Sequence, residues 1–415
     1  MRGKKLANFT NYILLASALV YYSTHAKAQD IDMQPLKFTK KAQLNQQKYS
    51  NKVGFGADNF ANSTERAFSV KLAEGDYAVK VKVTAKQTTE FILFSEDRRI
   101  MQLPQNLQQG ESAEYTFFSN VKTVKLASAE QDPPVGSVVG LRGDEFISRN
   151  WDDKLTIALS NQNVELEQVA ITQSKGNRIL LAGDSTVADQ ASSDYASWGQ
   201  FLPALVDNHL VINHARSGET LKSFIVSLRW DKLLSQTQAG DIVLIQFAHN
   251  DEKKQWPRTY SAADGAYPEY LRAFIADVKQ KNALPVLVTP VARRFFKNGE
   301  LLNTHEGYDK AVRNVGQTLN VPVIDLTAQT SSFYQMLGQE KSPQAFAAKG
   351  KDKTHHNHYG AWVIAQMVAK QLKAQFADKV DLSEFDFDGS APPQPDEQDF
   401  SQDLWPDMRP VEVEI

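Results

Sequence analysis

The stretch Leu181-Ala182-Gly183-Asp184-Ser185-Thr186 ends an apolar run that begins at Arg178. The run is short and aliphatic, which favours a buried β-strand, and the Gly-Asp-Ser sequence then favours a turn. Such a junction presents one hydroxyl at the end of a sheet. A serine hydroxyl becomes a nucleophile only with a base in hydrogen-bond reach and donors for the oxyanion that forms. For these residues alone, a turn with an N-capping Ser or Thr is the alternative.

The sequence after Gly176 alternates short apolar runs with helical periodicity. This alternation predicts a parallel sheet covered by helices on both faces, with ligands bound beyond the carboxyl ends of the strands. The predicted strands are 178–182, 210–213, 241–247, 284–289 and 322–325, and the predicted helices are 198–208, 267–281, 306–319, 328–337 and 359–376.

Residues 29–175 show a different pattern, in which apolar and polar side chains alternate with period two. Short alternating runs separated by turn residues predict an antiparallel β-sandwich with one solvated face. The predicted strands are 68–72, 77–83, 89–94, 113–118 and 154–158. We therefore predict a β-sandwich domain over 29–175 and an α/β domain over 176–380.

The two ends of the chain have distinctive compositions. Arg2, Lys4 and Lys5 precede an apolar run over 12–22, and Ala26-Lys27-Ala28 has the form of a cleavage site. Residues 1–28 are therefore predicted to be a signal peptide, which implies a secreted or periplasmic protein; a membrane anchor is the alternative. No later run is long enough for a membrane span. Residues 381–415 are acidic and contain prolines, which predicts an extended C-terminal extension.

The overall composition excludes several classes of function. The 415 residues include no cysteine, which excludes thiol catalysis and cysteine-ligated metals. The formal net charge is −3, and no basic cluster of the kind that binds nucleic acid is present. Histidines at 355, 356 and 358 could suggest a metal site, but no carboxylate-rich segment has ligand spacing, so we predict no metal. His209 and His305 are predicted to lie on the surface.

Polar residues follow the predicted strand ends, and the parallel sheet would bring them to one edge. In this arrangement His355 would take the proton from Ser185, and Asp352 would orient the imidazole and stabilise its charged form. The backbone N–H groups of Ser185 and Gly218, with the side-chain amide of Asn250, would donate to the oxyanion. These residues therefore predict a serine hydrolase site without a cofactor.

The same residues resemble the SGNH (GDSL) hydrolases, and most of all their rhamnogalacturonan acetylesterase-like branch. The resemblance covers roughly 178–376 and implies a flavodoxin-like, three-layer α/β/α sheet. Ala248 departs from the family, which usually has glycine in a G-H-N-D block. The matching patterns are G-D-S-T-V at 183–187, N-x-A-x-x-G at 213–218, T-P-x-x-R-R at 289–294 and D-x-T-H-x-N-x-x-G-A at 352–361.

A second, less specific resemblance lies in the N-terminal half. Arg98-Arg99, Arg142-Gly143-Asp144 and Trp151-Asp152-Asp153 resemble the galactose-binding-like β-sandwich module that is often fused ahead of these esterases. All the predicted catalytic residues lie between 183 and 355. We therefore expect the sandwich to be dispensable for hydrolysis of a small acetyl ester and to contribute to polysaccharide turnover.

The resemblance implies an enzyme that hydrolyses acetyl esters on a pectic polysaccharide, its predicted partner. Arg293 and Arg294 are candidates to bind a galacturonate carboxylate, because arginine recognises carboxylates bidentately; internal ion pairs are the alternative. Asp184 is a further candidate for substrate binding. Two other functions stay open: an esterase acting on another O-acylated glycan or a lipid ester, and a non-catalytic glycan-binding protein.

Overall fold

The fold is given by a computed structural model, which describes residues 35–60, 63–126, 137–383, 395 and 404–408. The predicted signal peptide lies outside the described residues, as does most of the predicted C-terminal extension. In the described part of the chain, two antiparallel sheets come first and a parallel sheet follows them.

Period-two alternation is seen in the first N-terminal sheet, whose strands turn alternate side chains inward. On the longest run of the predicted pattern, 77–83, Val79 and Val81 are fully buried while Lys80 is exposed. The predicted solvated face is wrong for the second sheet, because Ala67, Ile92, Phe94 and Ala158 on its other face pack in a core shared with the parallel-sheet region. The elements are β1 (Leu36–Phe38), α1 (Lys41–Asn45), β2 (Phe55–Ala57), β3 (Arg66–Lys71), β4 (Gly75–Ala85), β5 (Thr89–Ser95), β6 (Arg99–Leu107), β7 (Ser112–Val121), β8 (Lys154–Leu159) and β9 (Val164–Gln173). The sheet orders are β1-β9-β4-β7 and β2-β3-β8-β5-β6, and buried side chains from both sheets form one core.

The parallel sheet begins directly after β9. Its order β12-β10-β13-β14-β17 places the first strand of the region between the second and third, which is the flavodoxin-like order with its switch point between β10 and β13. Ser185 follows β10 and therefore lies at this switch point. The strands of this region are β10 (Asn177–Gly183), β11 (Val206–Asp207), β12 (His209–Asn213), β13 (Ile242–Gln246), β14 (Leu284–Val288), β15 (Phe296–Lys297), β16 (Glu300–Leu301), β17 (Val323–Ile324) and β18 (Asp381–Leu382).

Helices cover both faces of the parallel sheet. The helices are α2 (Trp198–Phe201), α3 (Leu221–Val226), α4 (Arg229–Gln236), α5 (Ala266–Gln280), α6 (Tyr308–Leu319), α7 (Leu326–Lys341) and α8 (His358–Gln375). Ile179 and Leu181 on β10 belong to a core shared with α2, α7 and α8. Leu180 and Ala182 belong to a core shared with α3, α4, α5 and α6. The region is therefore a three-layer α/β/α sandwich, as predicted.

The predicted helix over 198–208 is wrong beyond Phe201. Pro203 lies in a 3₁₀ turn over Leu202–Ala204, since proline lacks the N–H that an α-helix needs. The chain then forms β11, which pairs antiparallel with β18. Helices α3 and α4 were not predicted; they are short and separated by Leu228 in the left-handed region, with φ 59°.

The described part of the C-terminal extension packs into the molecule. Trp405 is 1% exposed, and its indole stacks on the His358 ring with 4.0 Å between centroids. Met408 is buried, and its N–H donates to the Ala191 carbonyl at 3.0 Å. No helix in the described ranges has the length and apolarity needed to cross a bilayer.

Candidate active site

The turn after β10 is built by buried polar contacts and close packing. Asp184 has no exposed surface, and its Oδ1 accepts from the Thr186 N–H at 3.0 Å and the Thr186 hydroxyl at 2.9 Å. Glycine is needed at 183, because a Cβ there would lie 2.5 Å from the Val187 side chain. These contacts fix the turn and present the Ser185 hydroxyl at the end of the strand.

Ser185, His355 and Asp352 are hydrogen-bonded in series. Ser185 Oγ lies 2.9 Å from His355 Nε2, and His355 Nδ1 lies 2.9 Å from Asp352 Oδ2. Asp352 Oδ1 accepts from the backbone N–H groups of Thr354 at 2.7 Å and His355 at 2.9 Å. The structure therefore brings the three predicted catalytic side chains together in the loop geometry that the sequence suggests.

The charge on Asp352 decides which nitrogen of His355 carries the proton. Burial alone would raise the pKa of Asp352, but the hydrogen bonds from the His355 ring and from the backbone of His355 and Thr354 outweigh burial and hold that pKa well below its usual range. An ionised carboxylate only accepts hydrogen bonds, so Nδ1 of His355 bears the hydrogen. Nε2 is then free to accept the proton of the Ser185 hydroxyl.

The three predicted oxyanion donors belong to the turn of Ser185 and to the loops that follow β12 and β13. Within the described residues, neither the Ser185 N–H nor the Gly218 N–H has a hydrogen-bond partner. Gly218 has φ +84°, a conformation that favours glycine. Asn250 Nδ2 donates one hydrogen to the Glu219 carbonyl at 3.0 Å, and its Oδ1 accepts from Lys253 Nζ at 2.8 Å. The second amide hydrogen of Asn250 remains available for an oxyanion.

Gln190 joins the nucleophile turn to the loop that carries Gly218. Its Nε2 lies 2.7 Å from the Ser185 carbonyl and 3.4 Å from Ser217 Oγ. Sequence reasoning missed Gln190, because an amide in a loop has no distinctive spacing. The contact places the predicted oxyanion donors of both loops on one edge of the sheet.

Arg294 does not face outward as a substrate-binding arginine. Its Nη2 donates to the Gly350 carbonyl at 2.5 Å and to the Asp352 carbonyl at 3.2 Å, and its backbone N–H donates to Lys353 at 2.8 Å. These bonds hold the loop that carries Asp352. The internal-contact alternative therefore describes Arg294 better than the substrate-binding one.

Arg293 and Asp184 are engaged internally as well. Arg293 forms an ion pair with Glu252 and donates to the His249 carbonyl at 3.3 Å. Asp184 Oδ2 lies 3.3 Å from His249 Nδ1, and the whole side chain is buried. All three candidate substrate-binding residues thus have internal partners, and a role of Asp184, Arg293 and Arg294 in substrate binding stays a prediction.

Ala248, where the family usually has glycine, adopts φ 143° and is fully buried. This backbone conformation is rare for a residue with a Cβ. Ala248 precedes His249 and Asn250, so the strained position lies next to a predicted oxyanion donor.

The N-terminal region anchors the nucleophile loop, a role that sequence reasoning missed. Arg99 forms a buried ion pair with Asp189, with 2.8 Å between Nη2 and Oδ2. Arg98 Nη1 donates to the Gln190 carbonyl at 2.9 Å, and its Nη2 lies 2.6 Å from His358 Nε2. The sequence feature that could have revealed this role is the pair of adjacent arginines at the start of a β-strand, where alternation predicts an apolar side chain.

A second N-terminal segment anchors the loop that carries Gly218. Arg142 forms an ion pair with Glu219, whose carbonyl accepts from Asn250. Glu145 forms ion pairs with Arg216 and with the buried Arg229. The Arg142-Gly143-Asp144 motif is thus part of the support for the site.

Three histidines outside the hydrogen-bonded series, His209, His305 and His356, are buried against structural partners. His305 and His209 are 0% and 5% exposed, so their predicted surface location is wrong. His305 Nε2 lies 2.8 Å from the Val291 carbonyl, and His356 Nε2 lies 2.5 Å from the Tyr334 hydroxyl. Across the described ranges, no group of three His, Asp or Glu side chains could hold a metal ion.

Comparisons with known proteins place this geometry in a family. The model of the GDSL-like Lipase/Acylhydrolase family matches residues 181–363. The probable rhamnogalacturonan acetylesterase YesY of Bacillus subtilis (strain 168) is 37% identical over 201 residues, which cover 48% of this chain and 93% of that protein. Rhamnogalacturonan acetylesterase RhgT of the same strain is 35% identical over 211 residues, covering 47% and 89%. The crystal structure of protein YXIM of Bacillus subtilis is 21% identical, covers 80% of this chain and 93% of that one, and has a TM-score of 0.48.

A parallel sheet of order 2-1-3-4-5, with helices on both faces and a serine at its switch point, defines an SGNH-type α/β/α hydrolase. The chain belongs to the GDSL-like Lipase/Acylhydrolase family. It is a carboxylic ester hydrolase.

Proposed function

We propose that the protein is an exported serine esterase that removes O-acetyl groups from a plant cell-wall polysaccharide, with pectin or rhamnogalacturonan as the substrate. The observation that carries the proposal is the hydrogen-bonded series Ser185–His355–Asp352 at the switch point of the sheet. Similarity to two rhamnogalacturonan acetylesterases supports the choice of substrate. The composition of residues 1–28 supports export.

The reaction follows from the geometry. Ser185 Oγ attacks the acetyl carbonyl while His355 Nε2 takes the hydroxyl proton, and Asp352 stabilises the resulting imidazolium. The N–H groups of Ser185 and Gly218 and the Asn250 amide donate to the oxyanion. His355 then gives the proton to the leaving sugar hydroxyl, which leaves an acetyl group on Ser185. Water, activated by the same histidine, releases acetate in the second half of the cycle.

The test is acetate release from a panel of acetylated polysaccharides by the wild type and by Ser185→Ala. We expect wild-type release from acetylated rhamnogalacturonan, and a loss of at least about 10³-fold in Ser185→Ala. Ser193→Ala, a neighbouring serine outside the hydrogen-bonded series, is the matched control and should keep wild-type rates. Substantial turnover by Ser185→Ala would refute the mechanism. Wild-type release of long-chain acids from lipid esters, with none of acetate, would refute the substrate class.

A further inference from the structure

The N-terminal region does more than support the catalytic loops. We propose that it forms one wall of a substrate subsite, which binds a neutral sugar residue next to the acetylated one. The proposal rests on the function proposed above, because it names the substrate group that this enzyme would recognise beside the reacting ester.

The subsite is a cavity between the N-terminal region and the edge of the parallel sheet. It has a volume of about 90 Å³ and opens to solvent. Asp144, Asn150 and Trp151 line it from the N-terminal side, and Gln190, Asn213 and Ser217 line it from the catalytic side. Both walls therefore come from segments already shown to contact each other around the active site.

The cavity begins next to the reacting groups. Gln190, one of its lining residues, contacts the Ser185 carbonyl at 2.7 Å. Ser217, another lining residue, immediately precedes the oxyanion donor Gly218. A polysaccharide chain whose acetyl group reaches Ser185 would therefore place a neighbouring sugar at this cavity.

Trp151 provides the aromatic surface of the cavity, and three side chains contact its ring. Lys122 Nζ lies 4.9 Å from the ring centroid, the Arg229 guanidinium 5.4 Å, and the His214 ring 6.1 Å. Cations over an aromatic ring attract it, so the indole is fixed before substrate arrives. A rigid aromatic surface favours packing against the C–H groups of a sugar ring.

The polar lining favours hydroxyl groups over a carboxylate. Four lining residues carry carboxylates, of which Asp189 is paired with Arg99 and Glu145 with Arg216 and Arg229. Asp97 accepts from the Ser148 hydroxyl and the Arg149 N–H, so Asp144 is the lining carboxylate with the weakest ionic contact. The Asp144 side chain is 73% exposed, and its contact with Arg216 is long, at 3.5 Å. Carboxylates accept hydrogen bonds from sugar hydroxyls, whereas a uronic acid would bring a like charge. The cavity is therefore suited to a neutral sugar. The four lining carboxylates are those of Asp97, Asp144, Glu145 and Asp189.

The experiment compares kcat/KM on three substrates: p-nitrophenyl acetate, an acetylated xylo-oligosaccharide and an acetylated oligogalacturonate. The first does not extend into the cavity, the second presents neutral sugars and the third presents uronic acids. The variants are Asp144→Ala, Asp144→Lys and Trp151→Leu, with Trp151→Phe as the conservative replacement. Phe146→Ala is the matched control, because Phe146 is exposed on the same 3₁₀ turn and does not line the cavity.

We expect Asp144→Ala and Trp151→Leu to lower kcat/KM on the xylo-oligosaccharide, relative to p-nitrophenyl acetate, by about fivefold to tenfold, mainly through KM. Trp151→Phe should recover most of the loss, and Phe146→Ala should match the wild type. Asp144→Lys should raise relative activity on the oligogalacturonate by a similar factor.

Two failures are distinguishable. Wild-type release of acetate from oligosaccharides, with substrate ratios that do not change in the Asp144 variants, would overturn the subsite and leave the esterase function standing. A wild type that hydrolyses p-nitrophenyl acetate but releases no acetate from either oligosaccharide or from acetylated rhamnogalacturonan would overturn the carbohydrate function and the subsite with it. Asp144 is exposed, so its variants remain informative if Trp151→Leu does not fold.

Discussion

Three of the candidate catalytic groups are held by hydrogen bonds to residues outside the proposed reaction. The Thr354 N–H holds Asp352, Lys253 and the Glu219 carbonyl hold Asn250, and Gln190 holds the backbone of Ser185. Donors that are already oriented toward the developing charge cost no reorganisation when the substrate reacts. The precision of the site therefore lies in these supporting contacts.

At the residue scale, we expect Asn250→Ala to lower kcat by about 10²–10³, the usual loss for one oxyanion donor. KM should change little, because the contact strengthens mainly in the transition state. Steady-state kinetics on p-nitrophenyl acetate measure both constants. Lys253→Ala removes a partner of the amide but keeps the donor, so its loss should be smaller. A loss confined to KM would assign Asn250 to substrate binding.

Asp352 should make the free energy of unfolding depend on pH in the acid range. Its pKa in the folded state is lowered, mainly because hydrogen bonds from His355 and Thr354 outweigh burial. A carboxylate with a lowered folded pKa stabilises the fold above its unfolded pKa of about 3.9, and that stabilisation is lost as pH falls through the folded pKa. The difference in unfolding free energy between wild type and Asp352→Asn should be constant above about pH 5 and should shrink on further acidification. Chemical denaturation at several pH values measures it, and a difference that does not depend on pH would contradict the assigned charge.

At the scale of elements, the sequence predicted most of what periodicity can specify. All five strands of the parallel sheet end within one residue of their predicted bounds, and four of the helices end within four residues of theirs. Helical periodicity did not predict α3 and α4, because six and eight residues are too few to show a repeat. It also did not predict that the helix before Pro203 ends early. The positions of polar residues after the predicted strands also predicted that Ser185, His355 and Asp352 lie together. It could not predict the partners of Arg293 and Arg294, because a side chain's direction is set by tertiary packing.

The loop after β13 contains a conformational strain that can be measured. Ala248 has φ 143°, whereas the equally buried Ala182 lies within a regular strand. Replacing either by glycine removes a buried methyl worth about 0.8 kcal/mol, but at 248 the change also relieves backbone strain of about 1–3 kcal/mol. We expect Ala248→Gly to be at least about 1 kcal/mol less destabilising than Ala182→Gly in denaturant unfolding. Equal costs would show that the backbone at 248 is unstrained.

At the scale of the whole molecule, the N-terminal and parallel-sheet regions share the active site. Arg98 and Arg99 contact the nucleophile loop, while Arg142 and Glu145 contact the loop that carries Gly218. From the sequence, the position of the catalytic residues suggested that the N-terminal region was dispensable for small esters. Position along the chain cannot reveal that residues before 175 hold these loops, since ion pairs between distant segments leave no periodic pattern.

We therefore expect a chain that begins at Gln173 to lose most activity on both p-nitrophenyl acetate and acetylated pectin, by about 10²-fold or more, because displacements of about 1 Å at a site can cost that much. Arg99→Gln tests whether loss of an N-terminal contact displaces the nucleophile loop, without removing the N-terminal region. It leaves the Asp189 carboxylate, 2% exposed, without its guanidinium partner, and breaking such a buried pair costs about 3–5 kcal/mol. Lys71→Gln is the matched control, because the Lys71–Asp153 pair in the same region is half-exposed and contributes little. Activity on p-nitrophenyl acetate that survives both the truncation and Arg99→Gln would restore the view of the N-terminal region as a separable module, whereas selective loss on the polymer would restrict its role to binding the sugar chain.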